Sequence, residues 1–114
     1  MKLTIMGSGT SHGVPVIGCD CSVCTSNDFR DKRYRASAFV TDGMANVVID
    51  VGPEFRLQAI RQKIKSLDAV LLTHGHADHL HGLDDIRMFS STKQGNVWHK
   101  QTTVFDIIFH RHGE

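Results

Sequence analysis

The chain has 114 residues, 13 Lys and Arg against 12 Asp and Glu, a formal net charge of +1, 40% hydrophobic residues and 22% charged ones. This composition supports one soluble globular domain over residues 1–114, and the near-balanced charge argues against nonspecific electrostatic attachment to nucleic acid or a membrane surface. No apolar run is long enough for a transmembrane helix and no basic, apolar leader is visible, so a cytoplasmic location is expected.

Lys2 to Met6 alternates in polarity and reads as a strand bounded by glycine. The loop Gly7-Ser8-Gly9-Thr10-Ser11-His12-Gly13 follows, rich in glycine and free of bulky apolar side chains. Such a loop can approach a phosphate or a metal site, although glycine-rich turns alone are weak signals. Next come Cys19, Cys21 and Cys24, all the cysteines of the chain, in a C-x-C-x2-C cluster. An odd count without a secretion signal speaks against a disulfide framework, and the tight spacing can aim three thiolates at one tetrahedral zinc. Three reduced thiols in a loop, or a redox pair, is the competing reading. Spacing does not give a fourth ligand; His12, His110 and His112 are all available.

Asp28 to Arg35 is a charged stretch expected on the solvated surface. Ala36 to Thr41 and Asn46 to Asp50 read as two strands joined through Asp42-Gly43, a hairpin signal. Pro53 suits the first turn of a helix whose buried stripe would be Phe55, Ala59, Ile60 and Ile64. Ser66 to Thr73 reads as a buried strand because its apolar run is continuous. Leu83 to Phe89 is expected as a short helix, Val97-Trp98 as a strand, and Thr102 to Phe109 as a final helix.

The chemistry concentrates in Thr73-His74-Gly75-His76-Ala77-Asp78-His79-Leu80-His81-Gly82, directly after that strand. Ligands in a loop at the end of a rigid strand are held by the sheet yet can converge on an ion. His74 and His76, two apart, point the same way in an extended segment, while Asp78 and His79 lie where the chain turns. The H-x-H-x-D-H pattern therefore offers imidazoles to one ion and a carboxylate with an imidazole to another. Imidazole and carboxylate suit zinc, manganese or iron. A polar loop of solvated histidines is the plain alternative. His81, next to the cluster, reads as a supporting or surface residue.

His74-Gly75-His76-Ala77-Asp78-His79 resembles the signature of the metallo-β-lactamase-fold hydrolases. The resemblance implies that His74 and His76 bind a first metal and Asp78 and His79 a second, giving two divalent ions, Zn²⁺ or Mn²⁺. Asp50-Val51-Gly52 is similar to the D-x-G turn of that superfamily, whose Asp supports the ligands; Asp50 and Asp78 are thereby expected to serve catalysis. Gly9-Thr10-Ser11-His12-Gly13-Val14-Pro15 and the cysteine cluster resemble the branch containing the cyclic phosphodiesterase of bacterial phosphonate breakdown. That branch carries a structural Zn²⁺ on three cysteines and a distant His.

The implied fold is α/β (α+β): the N-terminal half of an αββα sandwich, with a mixed sheet and flanking helices. The superfamily fold is longer than this chain, and its remaining ligands, a His, a bridging Asp and a last His, have no counterpart in Asn96 to Glu114. His99, His110 and His112 sit in no matching context. Truncation is the favoured explanation, and a homodimer could cover the open sheet.

The resemblance implies metal-assisted hydrolysis of a small phosphodiester, such as a cyclic nucleotide or a ribose phosphate, with Arg87 and the Gly7–Gly13 loop as candidate phosphate contacts. A plain surface role for Arg87 is an equal reading. The rivals are a superfamily hydrolase acting on thioesters, lactams or RNA ends, a zinc-binding module without catalysis, and a redox or metal sensor built on the thiols.

Overall fold

The computed structural model describes residues 1–90, 93–94, 97–98 and 102–106. In chain order the elements are β1 (Lys2–Gly7), β2 (Ser37–Thr41), β3 (Asn46–Ile49), α1 (Phe55–Arg61), β4 (Ala69–Leu72), α2 (Ala77–Leu80), α3 (Arg87–Ser90), β5 (Lys93–Gln94), β6 (Val97–Trp98) and β7 (Thr103–Asp106). Short 3-10 turns lie at Phe29–Asp31 and Leu83–Ile86. Among the described residues no helix is long and apolar enough to cross a membrane.

The main sheet has the order β1-β2-β3-β4-β7, with β5 and β6 forming a separate ribbon. β1, β2 and β3 pair antiparallel, whereas β3–β4 and β4–β7 pair parallel. β1, β3, β4 and β7 consequently run in one direction. Their carboxyl ends share one edge of the sheet, the usual place for a site in sheets of this kind. The sheet is mixed, as expected, and flanked by helices.

The β2–β3 hairpin forms where Asp42-Gly43 predicts it. Asp42 Oδ1 accepts the N–H groups of Met44 (2.8 Å) and Ala45 (2.7 Å), while Gly43 takes a left-handed φ of +90°. The Ala45 N–H bond, followed by that of Met44, holds the Asp42 carboxyl below its ordinary range.

One face of the sheet makes the core. Met6, Val48, Val70 and Leu72 pack with Val51, Phe55, Ala59, Leu67 and Ile86, and Phe39, Ile64, Leu80, Leu83 and Phe89 close the margin. The Phe55 and Phe89 rings meet at 6.2 Å and 58°. The opposite face is also apolar. Two cross-strand rows run over it, Leu3–Val40–Val47–Ala69–Thr103 and Ile5–Ala38–Ile49–Leu71–Phe105. None of these side chains belongs to the core, and Leu3, Ile5 and Phe105 are more than half exposed. The two apolar faces explain the unbroken apolar run of β4. Only Val70 and Leu72 are buried, while Ala69 and Leu71 are half-buried on the other face.

Four expectations are corrected. Thr103–Asp106 is a strand, not part of a helix. Its β-branched and aromatic residues pair with β4, and its entry is fixed by Thr103 N–H to the Asp68 carbonyl (3.0 Å) and Thr102 Oγ1 to the Leu67 carbonyl (2.7 Å). Residues 107–109 of the expected helix lie outside the described residues. Ile60 is 61% exposed, and the polar Gln58 takes the buried position on α1. Gln58 satisfies its burial by donating from Nε2 to the carbonyls of Arg35 (3.1 Å) and Met6 (3.4 Å). Pro53 stands one residue before the Glu54 cap, in the turn that precedes α1. Residues 28–35 are not simply solvated: Arg33 and Val14 exchange backbone bonds at 2.8 and 2.9 Å, and Arg35 is tied inward to Glu54 and the Ser11 carbonyl.

Candidate metal centre

The centre assembles at the carboxyl ends of β3 and β4. Asp50 ends β3 in a left-handed backbone (φ 62°), a conformation that Asp tolerates better than most residues. Its N–H donates to the Leu71 carbonyl (2.9 Å), and its carbonyl accepts the Ser37 hydroxyl (2.8 Å). The side chain is thereby turned toward the segment leaving β4.

Glycines then allow the chain to close tightly. A Cβ on Gly52 would lie 2.4 Å from the Asp78 carbonyl oxygen, and one on Gly82 would lie 2.1 Å from the Gly52 carbonyl oxygen. Two backbone bonds stitch the turn to α2: Val51 N–H to the His79 carbonyl (2.8 Å) and Gly82 N–H to the Val51 carbonyl (2.9 Å).

Asp50 is 5% exposed, and its carboxylate meets three donors. Oδ1 accepts the Thr73 N–H (2.8 Å), and Oδ2 accepts both the Thr73 hydroxyl (2.6 Å) and His79 Nδ1 (2.7 Å). Because the Thr73 proton is given to Asp50, Thr73 Oγ1 can only accept from His74 Nδ1, 2.9 Å away. One buried carboxylate thus sets two imidazoles, His79 directly and His74 through a hydroxyl. In both rings this network places the proton on Nδ1 and leaves Nε2 as the donor atom.

The remaining expected ligands join the same knot. The His74 ring centroid lies 4.0 Å from that of His79 and 4.6 Å from that of His76. Asp78 Oδ2 is 2.9 Å from His79 Nε2. His76 precedes α2 in an extended conformation and is exposed, whereas His74, Asp78 and His79 are half-buried. His76 thus stands beside the His74 ring and Asp78 beside His79, whereas Asp50 contacts His79 and, through Thr73, His74.

Ligand-type atoms of Asp50, His74 and His79 lie within 4.8 Å of one another. The Asp50 oxygens are already engaged by the imidazole and threonine donors, which suits Asp50 to supporting the ligands. The donor set fits a divalent ion. His79 Nε2 carries a lone pair when Nδ1 holds the proton, and it faces a carboxylate oxygen at 2.9 Å. Two acceptors that close are reconciled by a proton or by a metal cation.

The cysteines form a second cluster. Cys19, Cys21 and Cys24 are free thiols with their sulfurs within 4.8 Å of one another. Backbone N–H groups point at sulfur, Cys24 N to Cys21 Sγ and Val16 N to Cys24 Sγ, each at 3.4 Å. The Cys24 N–H bond, followed by the Cys19 thiol, lowers Cys21 to about 7. At Cys24 the Val16 N–H also lowers the pKa, but the neighbouring thiols and desolvation outweigh it and raise the group. Such a set of sulfurs suits zinc. Among the described residues no fourth ligand joins it: His12 is exposed and outside the cluster, and His110 and His112 lie outside the described residues, as does His99.

His81 caps the end of α2 and is exposed, outside the knot. Arg87 is exposed on α3 and pairs with Asp84 at 3.5 Å. The Gly7–Gly13 loop starts from the same sheet edge as the histidines, anchored by Gly9 N–H to the Tyr34 carbonyl (2.8 Å) and by Arg35 Nε to the Ser11 carbonyl (2.6 Å). Sequence reasoning missed Thr73 and Arg35. A hydroxyl directly before the first histidine was the available signal for Thr73; nothing local marks Arg35.

Comparison with known proteins identifies the family. Residues 45–110 match the model of the beta-lactamase superfamily domain. The chain belongs to this family. A solved structure described as a new diphosphatase from the PhnP family superposes with a TM-score of 0.75 at 57% identity, covering 77% of this chain and 35% of that one. The Zn²⁺-bound PqqB structure from Methylobacterium extorquens gives a TM-score of 0.65 at 30% identity, covering 75% of this chain and 33% of that one. An octanoyltransferase of Porphyromonas gingivalis is 48% identical over 106 residues, 92% of this chain and 20% of that protein. The chain thus spans between a fifth and about a third of the length of these relatives.

Proposed function

We propose that the protein is a metal-dependent hydrolase acting on a cyclic or other small phosphodiester. The observation that carries this reading is the single buried Asp50 carboxylate that sets His79 directly and His74 through Thr73. Such support is what ligating imidazoles require, and it holds their Nε2 atoms ready.

In this reading His74 and His76 hold one divalent ion, Asp78 and His79 a second, and Cys19, Cys21 and Cys24 a structural zinc. Two ions at such a site supply hydroxide at neutral pH and neutralise charge developing on a phosphoryl oxygen. The residues of the chain do the positioning. Asp50 fixes the ring planes and tautomers, Thr73 transmits that constraint, and the Asp78 carboxylate accepts from the attacking water. The Gly7–Gly13 loop lies at the same sheet edge and offers backbone N–H groups to substrate oxygens.

The phosphoryl preference is supported by likeness to the PhnP-family diphosphatase structure, and the zinc preference by likeness to Zn²⁺-bound PqqB. The octanoyltransferase name belongs to a protein of which the matched stretch is only 20%. Free thiols clustered for a metal suit a reducing compartment, in keeping with a cytoplasmic protein.

The test is turnover by the intact gene product carrying these residues, loaded with Zn²⁺ or Mn²⁺. Cyclic phosphodiesters, linear phosphodiesters and an octanoyl thioester are compared. Phosphodiester turnover lost in His79→Ala and on chelation is expected. Turnover of the thioester alone, or of none, refutes the reading.

A further inference from the structure

A second polar site lies apart from the histidines; it shares Gly7 and Ser8 with the glycine loop, while its cationic residues are not used by the chemistry proposed above. A cavity of about 200 Å³ opens between the end of β1, residues 32–34 and the last turn of α1. Ser8, Lys32, Arg33, Tyr34, Arg61 and Gln62 line it, and neither a carboxylate nor any residue of the histidine knot is among its lining residues.

We infer that this cavity is a binding site for a small phosphoryl anion, of phosphate or diphosphate size. The argument starts from charge. The chain as a whole carries only +1, yet three cationic residues, Lys32, Arg33 and Arg61, line one depression and no carboxylate is among its lining residues. Like charges brought together repel, and an anion between them relieves that cost.

The local bonds keep the cations in place without neutralising them. Arg33 Nη1 donates to Ser8 Oγ at 2.7 Å, and Lys32 Nζ donates to the Ser26 carbonyl at 3.1 Å. Both acceptors are neutral, so both charges persist. Arg61, the last residue of α1, has no hydrogen bond or ion pair among the described residues. Its guanidinium donors are uncommitted.

The ligand class follows from the donors. The lining residues bear guanidinium, ammonium, hydroxyl and amide groups, a set that matches an anion with several acceptor oxygens and more than one charge. A carboxylate offers fewer of both. The volume suits one or two phosphoryl groups. Its cationic residues, Lys32, Arg33 and Arg61, take no part in the hydrolase reading, so the inference does not depend on it.

The test uses the full chain, freed of metal by chelation, with inorganic phosphate, inorganic diphosphate and acetate titrated at constant ionic strength. Amide resonances of Lys32, Arg33, Arg61 and Gln62 are followed. Saturable shifts at these residues are expected, stronger for the phosphoryl anions than for acetate, and weakening as salt rises.

Arg33→Gln with Arg61→Gln should weaken binding about tenfold or more, and Arg33→Lys with Arg61→Lys should recover part of it. Both arginines are exposed, so the variants are expected to keep the melting temperature of the parent. Shifts confined to the Gly7–Gly13 loop, Asp50 and residues 73–79, equal affinity for acetate, or binding unchanged in the glutamine pair each overturn the inference.

Discussion

Asp50 Oδ2 and His79 Nδ1 stand 2.7 Å apart, and Asp50 reaches this partner from a left-handed backbone at φ 62°. The pairing separates two roles of one residue: a conformation that few side chains accept, and a carboxylate that three donors require. Asp50→Asn keeps the first and damages the second, because an amide presents its own donor where an acceptor is needed. The expected loss is about 2–4 kcal/mol of stability by denaturant unfolding, with metal affinity falling roughly 10- to 100-fold by competition titration. Unchanged zinc affinity in a folded variant would show that Asp50 does not set the ligands.

Thr73 tests the indirect arm. Thr73→Val keeps the shape but leaves His74 Nδ1 without its acceptor at 2.9 Å. The change should cost about 1–2 kcal/mol and weaken metal binding, whereas Thr73→Ser should retain both. If valine and serine behave alike, the hydroxyl relay carries no weight.

The glycines around the centre should differ sharply in tolerance. Gly52→Ala and Gly82→Ala drive a methyl against backbone carbonyls at 2.4 and 2.1 Å. Each should destabilise the fold by about 1–3 kcal/mol and move Asp78 or α2. Gly75→Ala, whose nearest neighbour is a Leu80 methyl at 4.0 Å, should leave melting and metal binding nearly unchanged. Equal effects at all three positions contradict this packing.

The cysteine cluster predicts a pH dependence. Cys21 is lowered from 9.0 to about 7, so its thiolate fraction rises through neutral pH instead of near pH 9. In metal-free protein, alkylation by iodoacetamide should reach half its maximal rate at Cys21 near pH 7. Cys24, whose thiol is raised, should lag behind. Added zinc should protect all three thiols, and a chelator should restore the reaction. Peptide mapping that finds the three cysteines equally reactive at pH 7, or unprotected by zinc, counts against the cluster as a metal site.

Much of this was legible in the sequence because local rules and the final contacts agree. Asp42-Gly43 announces the hairpin and then makes it, with the Asp42 side chain closing the turn. The H-x-H-x-D-H motif begins where β4 ends, and of its four ligand-type residues His74 and His79 fall in one close group with Asp50. What escaped depends on distant partners. Thr103–Asp106 becomes a strand through pairing with β4, a neighbour more than thirty positions earlier. Arg35 gains its role from Glu54 and Ser11. Gln58 displaces Ile60 from the buried stripe only because the carbonyls of Met6 and Arg35 are there to receive it.

The apolar rows on the second face of the sheet bear on colloidal behaviour. Leu3, Ile5 and Phe105 stand more than half exposed beside a continuous oily band that crosses five strands. A band of this kind adheres to its like as concentration rises and takes up hydrophobic dyes. Leu3 and Ile5 lie on the edge strand, far along the sheet from His74 and His79. Changing them to Thr and Lys should raise the concentration at which solutions of the chain stay clear, and it should do so without disturbing the histidines.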